Sequence, residues 1–258
     1  SITFNPKYRK AFKPLVEKVS FSPFGDIEKL RETVNDQTAF VILEPIQGES
    51  GIHVAPDGFL QDVRKICDEK GVLLIFDEIQ AGLGRTGKMW AHEHWNTAPD
   101  ILCLAKGIAG GVPMGATLVR PDILDCISKG EHSSTFGGNP LSCAAGTATI
   151  QALTQDKLVE NSANMGKLFR QGLNKLKEKH PVIREVRGKG LMIGIELKFE
   201  VRDILMEGIE KGLLLLYSGR NILRLLPPLV ITEEDVTKSL QILDELFTNE
   251  EKRKNAQG

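Results

Sequence analysis

The sequence predicts an α/β fold, with a large, mostly parallel sheet domain over residues 1–150 followed by a smaller α+β unit over residues 151–258. Three observations lead there. Short apolar runs alternate with amphipathic stretches through the first half, as in strand-helix-strand units. Two of those runs end on opposite charges, Asp77 and Lys106, as strands do when their carboxyl ends line a ligand crevice. The second half mixes single short apolar runs with longer helical patterns.

In chain order, residues 39–43 read as a strand, 58–70 as a helix, and 72–76, 101–105 and 115–119 as strands. The segment 115–119 lies between Gly111-Val112-Pro113 and Pro121, so Lys106 is followed by a glycine-rich, hairpin-like return. Helices over 141–153 and 156–179 lead out of the first domain. Beyond them 190–197, 212–216 and 222–225 read as strands, and 201–211 and 233–246 as helices. The tail from about residue 249 is charged and almost free of apolar residues, which predicts fraying. There is no internal repeat and no low-complexity linker.

A chain of 258 residues with a net charge of −1 has enough length for a substantial core and no electrostatic bias toward nucleic acid or an acidic membrane. No apolar run approaches the roughly 20 residues of a membrane span. Cys67, Cys103, Cys126 and Cys143 show no CxxC spacing, which predicts reduced, mostly buried thiols and a cytoplasmic protein. The first residue is Ser1 rather than methionine, so the natural start, with any targeting segment, is expected elsewhere.

Lys106 and Asp77 stand 29 positions apart on neighbouring predicted strand ends. An amine and a carboxylate on one rim suit pyridoxal phosphate: the amine forms a Schiff base with the aldehyde, and the carboxylate keeps the pyridine nitrogen protonated. Strand ends also carry charges simply because they meet solvent. Glu44 and Glu49, in Glu44-Pro45-Ile46-Gln47-Gly48-Glu49-Ser50-Gly51, fall near the same rim, either to gate an arginine or substrate amine or as parts of a solvated turn. The glycines of Ala81-Gly82-Leu83-Gly84-Arg85-Thr86-Gly87 permit close approach to a flat ligand, but no P-loop ending follows. The hydroxyls of His132-Ser133-Ser134-Thr135-Phe136-Gly137-Gly138-Asn139-Pro140 suit either an anion or a helix cap. Arg224 is a lone cation in an apolar strand, so a carboxylate partner is expected from substrate or protein. His92 and His94 have i, i+2 spacing that fits neither a helical zinc site nor a finger, and no metal is expected.

Four of these stretches, 44–51, 76–87, Ala105-Lys106-Gly107 and 134–140, resemble in order and spacing the class III aminotransferases, most closely the acetylornithine and ornithine aminotransferases. Among these are relatives that act on a lysine or ornithine precursor attached to an amino-group carrier protein. The resemblance implies the pyridoxal-phosphate-dependent transferase fold of type I. It makes Lys106 similar to the Schiff-base lysine, Asp77 to the partner of the pyridine nitrogen, Gln80 to the group near the ring hydroxyl and Ile79 to the aliphatic residue on one ring face. Thr135 resembles the threonine that reaches the cofactor phosphate of the neighbouring subunit, implying a homodimer with shared active sites. Arg224 resembles the arginine that binds the substrate α-carboxylate, and Glu49 the glutamate that masks it.

The implied reaction is ping-pong transfer of an ω-amino group to 2-oxoglutarate, giving a semialdehyde and glutamate, in arginine or lysine biosynthesis. One departure stands out. The family's phosphate-cupping Ser-Gly-Thr-type loop, the aromatic stacked on the second ring face and a further substrate-binding arginine precede the stretch this sequence resembles. A polypeptide lacking them is expected to be poorly stable and weakly active or inactive alone. The competing readings are a non-catalytic homologue that binds a partner subunit, and a related class III enzyme such as a semialdehyde aminomutase. The retained Lys106, Asp77, Thr135 and Arg224 tell against the former, and Glu49 against the latter.

Overall fold

The computed structural model describes residues 2–255 and begins with two short helices, α1 (Pro6–Arg9) and α2 (Ile27–Thr33). Strand β1 (Phe40–Leu43) follows, then a two-stranded hairpin of β2 (Ile46–Gln47) and β3 (His53–Val54). Helix α3 (Phe59–Lys70) buries Phe59, Leu60, Val63, Ile66 and Cys67, the i, i+3/i+4 stripe of an amphipathic helix. Gly71 ends it in the left-handed conformation (φ 65°), and its N–H returns to Asp68 and Cys67 carbonyls. That stop turns the chain into β4 (Leu73–Asp77), whose Leu74 and Phe76 are fully buried.

After β4, β5 (Ile101–Leu104) and β6 (Ala116–Val119) complete a sheet in the order β1-β4-β5-β6. β1/β4 and β4/β5 are parallel and β5/β6 is antiparallel, as a glycine-rich return after Lys106 requires. Asp77 pairs with Cys103, so the chain leaves both strands on the same edge of the sheet. The short helix α4 (Pro121–Leu124) leads through an exposed segment to α5 (Pro140–Gln155), then α6 (Leu158–Lys179).

The second sheet is antiparallel: β7 (Ile183–Lys189), β8 (Met192–Leu197), β9 (Leu216–Ser218) and β10 (Ile222–Leu225), in the order β7-β8-β10-β9. It is covered by α6, α7 (Arg202–Glu210) and α8 (Glu233–Asn255). Two apolar cores result. One gathers α3, β4 and β5 around Leu60, Leu74 and Phe76, and the other gathers α6, β8, β10 and α8 around Leu173, Ile193, Ile195 and Phe247. Met192, on β8, belongs to the first and joins the two halves. No helix among the described residues is long and apolar enough to cross a membrane.

Four expectations change. The tail does not fray as far as Asn255, because α8 carries it against α7: Asn249 Nδ2 donates to Glu207 Oε1 (2.6 Å), Arg253 pairs with Glu207 and Glu250, and Glu250 is buried. A charged sequence stays ordered where opposite charges on a neighbouring helix meet it; residues 256–258 lie outside the described residues. The strand expected at 212–216 is shifted to Leu216–Ser218, since pairing of Ser218 with Ile222 across Gly219 (φ 58°) sets the register and leaves Leu214 exposed. β7 was not expected at all, for a bulge between Ile183 and Glu185 breaks the period of two. Finally, only Cys67 of the four cysteines is buried, while Cys126 and Cys143 are exposed in the segment after α4 and on the first turn of α5.

Candidate active site

Strand periodicity divides two adjacent carboxylates between opposite faces. Asp77, half-buried at the end of β4, accepts the Ile79 N–H at Oδ1 (3.0 Å), an Asx turn that starts the loop bearing Ile79 and Gln80. Glu78 faces the other way into the core. Its carboxylate accepts the N–H groups of Ala91 (2.6 Å) and His92 (2.8 Å) and lies 2.7 Å from His92 Nδ1. This knot fastens the end of β4 to the turn over Ala91–Trp95, and sequence reasoning missed it because an Asp-Glu pair reads as solvent-facing charge. His94 pairs separately with Thr86, 3.0 Å from its carbonyl oxygen. Among the described residues no cluster of three or more His, Cys, Asp or Glu is arranged to hold a metal.

Lys106 opens the turn Lys106–Ala109 just beyond β5. Its φ of 49° is left-handed, a conformation that costs a residue with a Cβ and is maintained only by surroundings that over-determine it. Those surroundings are present: Ile108 and Ala109 are buried, and α5 packs across the turn. Lys106 itself is exposed.

The hairpin β2–β3 brings a second carboxylate cluster. Glu44 is half-buried and accepts the Gly48 N–H at 3.0 Å. Burial pushes its carboxyl up, an effect that the Gly48 hydrogen bond opposes, Asp77 reinforces, Lys106 opposes and Glu49 reinforces. The charges of Asp77, Lys106 and Glu49 therefore all act at one point. Glu49, at the hairpin tip, meets Arg224 of β10: Oε1 accepts from Nη1 at 2.9 Å and from Gln80 Nε2 at 3.1 Å. Arg224, with Lys106 in the background, holds the Glu49 carboxyl below the usual range against the opposing effect of burial. The partner expected for Arg224 is thus a protein carboxylate. Its guanidinium also donates to Gly48 O (3.2 Å), and its buried Nε has no protein partner.

The structure thus brings Asp77, Ile79, Gln80, Lys106, Glu49 and Arg224 to one side of the parallel sheet. Thr135 is not among them. It lies in an exposed stretch beside Phe136 and makes no hydrogen bond to these residues, and Asn139 caps α5 by accepting the Ser142 N–H at 3.0 Å. Sequence reasoning also missed Ser218 and Arg187, which contact the hairpin tip from the second sheet. Neither stands in a pattern that marks it. The donor set fits pyridoxal phosphate: an exposed lysine for the aldehyde, a carboxylate on the adjacent strand for the ring nitrogen, and the Gln80 amide bonded to Glu49.

Residues 1–247 match the model of the family Aminotransferase class-III. The chain is 47% identical over 247 residues to an acetylornithine aminotransferase of Caldanaerobacter subterraneus subsp. tengcongensis, covering 95% of this chain and 63% of the relative. It is 43% identical over 248 residues to ornithine aminotransferase 1 of Staphylococcus saprophyticus, covering 96% and 62%. Among solved structures, the ornithine aminotransferase of Toxoplasma gondii superposes with a TM-score of 0.94 at 34% identity, covering 98% of this chain and 61% of that one. The acetylornithine aminotransferase of Elizabethkingia anophelis gives 0.84 at 40%, covering 88% and 59%. The chain therefore spans about three fifths of the length of the relatives it matches. With an amine and a carboxylate at neighbouring ends of a parallel sheet and this similarity along its length, the chain belongs to the class III aminotransferase family.

Proposed function

We propose that this chain provides the catalytic lysine of a pyridoxal-phosphate-dependent aminotransferase that moves the ω-amino group of acetylornithine, ornithine or a carrier-linked lysine or ornithine to 2-oxoglutarate. The products are a semialdehyde and glutamate, in arginine or lysine biosynthesis in the cytoplasm. The observation that carries this reading is the Glu49–Arg224 pair at 2.9 Å on the same side of the sheet as Asp77 and Lys106. An enzyme that alternates between an ω-amine and a dicarboxylate needs a carboxylate site that one substrate opens and the other leaves closed.

The cofactor, when bound, supplies an electron sink for the carbanion formed at the substrate carbon. Lys106 would hold its aldehyde until the donor amine displaces it, and the freed Lys106 amine would then take the proton from the substrate carbon and hand it on to the cofactor. Asp77 is fixed by the Ile79 N–H and would keep the pyridine nitrogen protonated, while Ile79 and Gln80, on the loop that Asp77 starts, would be the residues holding the ring and its oxygen. Arg224 offers its guanidinium to the α-carboxylate of glutamate or 2-oxoglutarate, and Glu49 covers it while the ω-amine reacts. Thr135 would reach the cofactor phosphate of a second copy in a homodimer. The exposed Leu124, Ile127, Phe136 and Leu141 around it support that assembly as an apolar face. The separate apolar cores support a division near residue 150 into the remainder of the cofactor-binding domain and a small C-terminal domain.

The test is reduction with borohydride in the presence of pyridoxal phosphate, followed by peptide mass mapping. Label confined to Lys106 is the expected result. Label scattered over surface lysines, or none, overturns the assignment of Lys106 in this polypeptide.

A further inference from the structure

The tip of the β2–β3 hairpin is held by the second sheet through bonds that leave the Glu49 carboxylate out. Arg187 Nε, on β7, donates to Gly51 O at 2.9 Å, the Ser218 hydroxyl, on β9, donates to Glu49 O, and Arg224 Nη1 donates to Gly48 O at 3.2 Å. Three of four consecutive carbonyls, 48, 49 and 51, are thereby fixed from three different strands. The approach is close enough that a Cβ on Gly51 (φ 122°) would lie 2.5 Å from Ile222 Cδ1. Ser218 is buried, and the Arg187 guanidinium is steadied by Glu185 (2.6 Å) and Glu196 (2.8 Å). The Glu49 side chain, in contrast, is 76% exposed and is held only at Oε1.

We infer that Ser218 and Arg187 are positioning residues for substrate selection: they fix the backbone of 48–51 so that Glu49 leaves and regains Arg224 by rotating its own side chain, without moving the loop. This rests on the reading that Glu49 masks Arg224. A side-chain rotation is completed within nanoseconds, whereas a loop excursion is slower and scatters the carboxylate over many positions. With the carbonyls released, Glu49 spends less time on the guanidinium, and α-carboxylates gain access when the ω-amine should react. The pinned backbone sets the closed position, and the free side chain supplies the motion.

The test uses Ser218→Ala and, in case that variant folds poorly, Arg187→Lys, which keeps the charge and loses the Nε donor. The first readout is amide hydrogen exchange over residues 46–54 in protein without cofactor. Exchange is expected to rise about fivefold, the factor one neutral hydrogen bond is worth. The second is the ratio of kcat/KM for an ω-amine donor to that for glutamate in the holoenzyme, expected to fall by about the same factor, with the cofactor absorbance spectrum unchanged. In a Glu49→Gln background the same substitutions should add nothing to the ratio, because the group they position is gone. Unchanged exchange, an unchanged ratio, or an equal fall in the Glu49→Gln background each overturns the inference. If Glu49→Gln by itself leaves the ratio at the wild-type value, the masking reading fails instead, and the exchange data still report whether the clamp exists.

Discussion

Glu49 Oε1 lies 2.9 Å from Arg224 Nη1 although 175 positions separate the two residues. The partners are unlike: the Arg224 side chain is 10% exposed and that of Glu49 76%. An ion pair with a solvated carboxylate is worth little, so a second carboxylate can displace Glu49 at small cost. A buried guanidinium left without any carboxylate costs far more, so Arg224 keeps Glu49 unless another carboxylate takes its place.

Glu49→Gln should raise the reactivity of glutamate relative to an ω-amine donor by about tenfold, read as the ratio of kcat/KM values. The pH dependence follows from the lowered carboxyl. A group whose folded pKa is depressed contributes its stabilisation above the unfolded value, 4.5 for this carboxyl, and loses it as pH falls through the lower folded value. Masking should therefore hold constant from about pH 6 to about pH 9 and weaken only in acid. A ratio that changes steeply near neutrality would assign the mask to another group.

Glu78→Ala should be the most damaging single change near the site. It leaves the N–H groups of Ala91 and His92 and the His92 ring without their acceptor in the core, a loss of about 3 kcal/mol. Glu78→Gln keeps an acceptor oxygen and should cost about 1 kcal/mol. Urea unfolding midpoints of the two variants give the comparison, and equal midpoints would show that the knot carries no stability.

Glu44→Gln tests the opposite sign. Burial raises the Glu44 carboxyl, so the folded state favours its neutral form; that preference is expressed in full below the unfolded value of 4.5, and is lost as pH rises through the folded one. Glutamine is neutral throughout and still accepts from Gly48. The variant should melt about 2 °C above the wild type near pH 7.5 and match it near pH 4.5. A variant less stable at the higher pH would mean that Lys106 gains more from this charge than burial costs.

Thiol labelling should separate the cysteines by environment. Burial pushes the Cys67 thiol up to about 11, and it has no exposure through which to react. Cys126 and Cys143 are exposed in the single chain and should be alkylated in the folded monomer, with Cys67 modified only on unfolding. Early modification of Cys67 would show that α3 opens locally.

The sequence by itself determined the local elements whose pattern repeats. The helix α3 with its end at Lys70, and the apolar runs closing on Asp77 and Lys106, were all legible, because helix and strand periods are properties of neighbouring residues. The four motifs pointed to the family, and the polar ends of two strands pointed to the rim. What the tertiary structure decided were the meetings of residues distant along the chain. Only the packing of the second sheet against the β2–β3 hairpin gives Arg224 its partner and brings Ser218 and Arg187 to the tip. Only burial separates the inward Glu78 from its neighbour Asp77, and only α7 beneath α8 keeps a charged tail helical to Asn255. A charge in a sequence carries no sign of its partner, since attraction depends on distance and on exclusion of water, and both arise when the chain closes on itself.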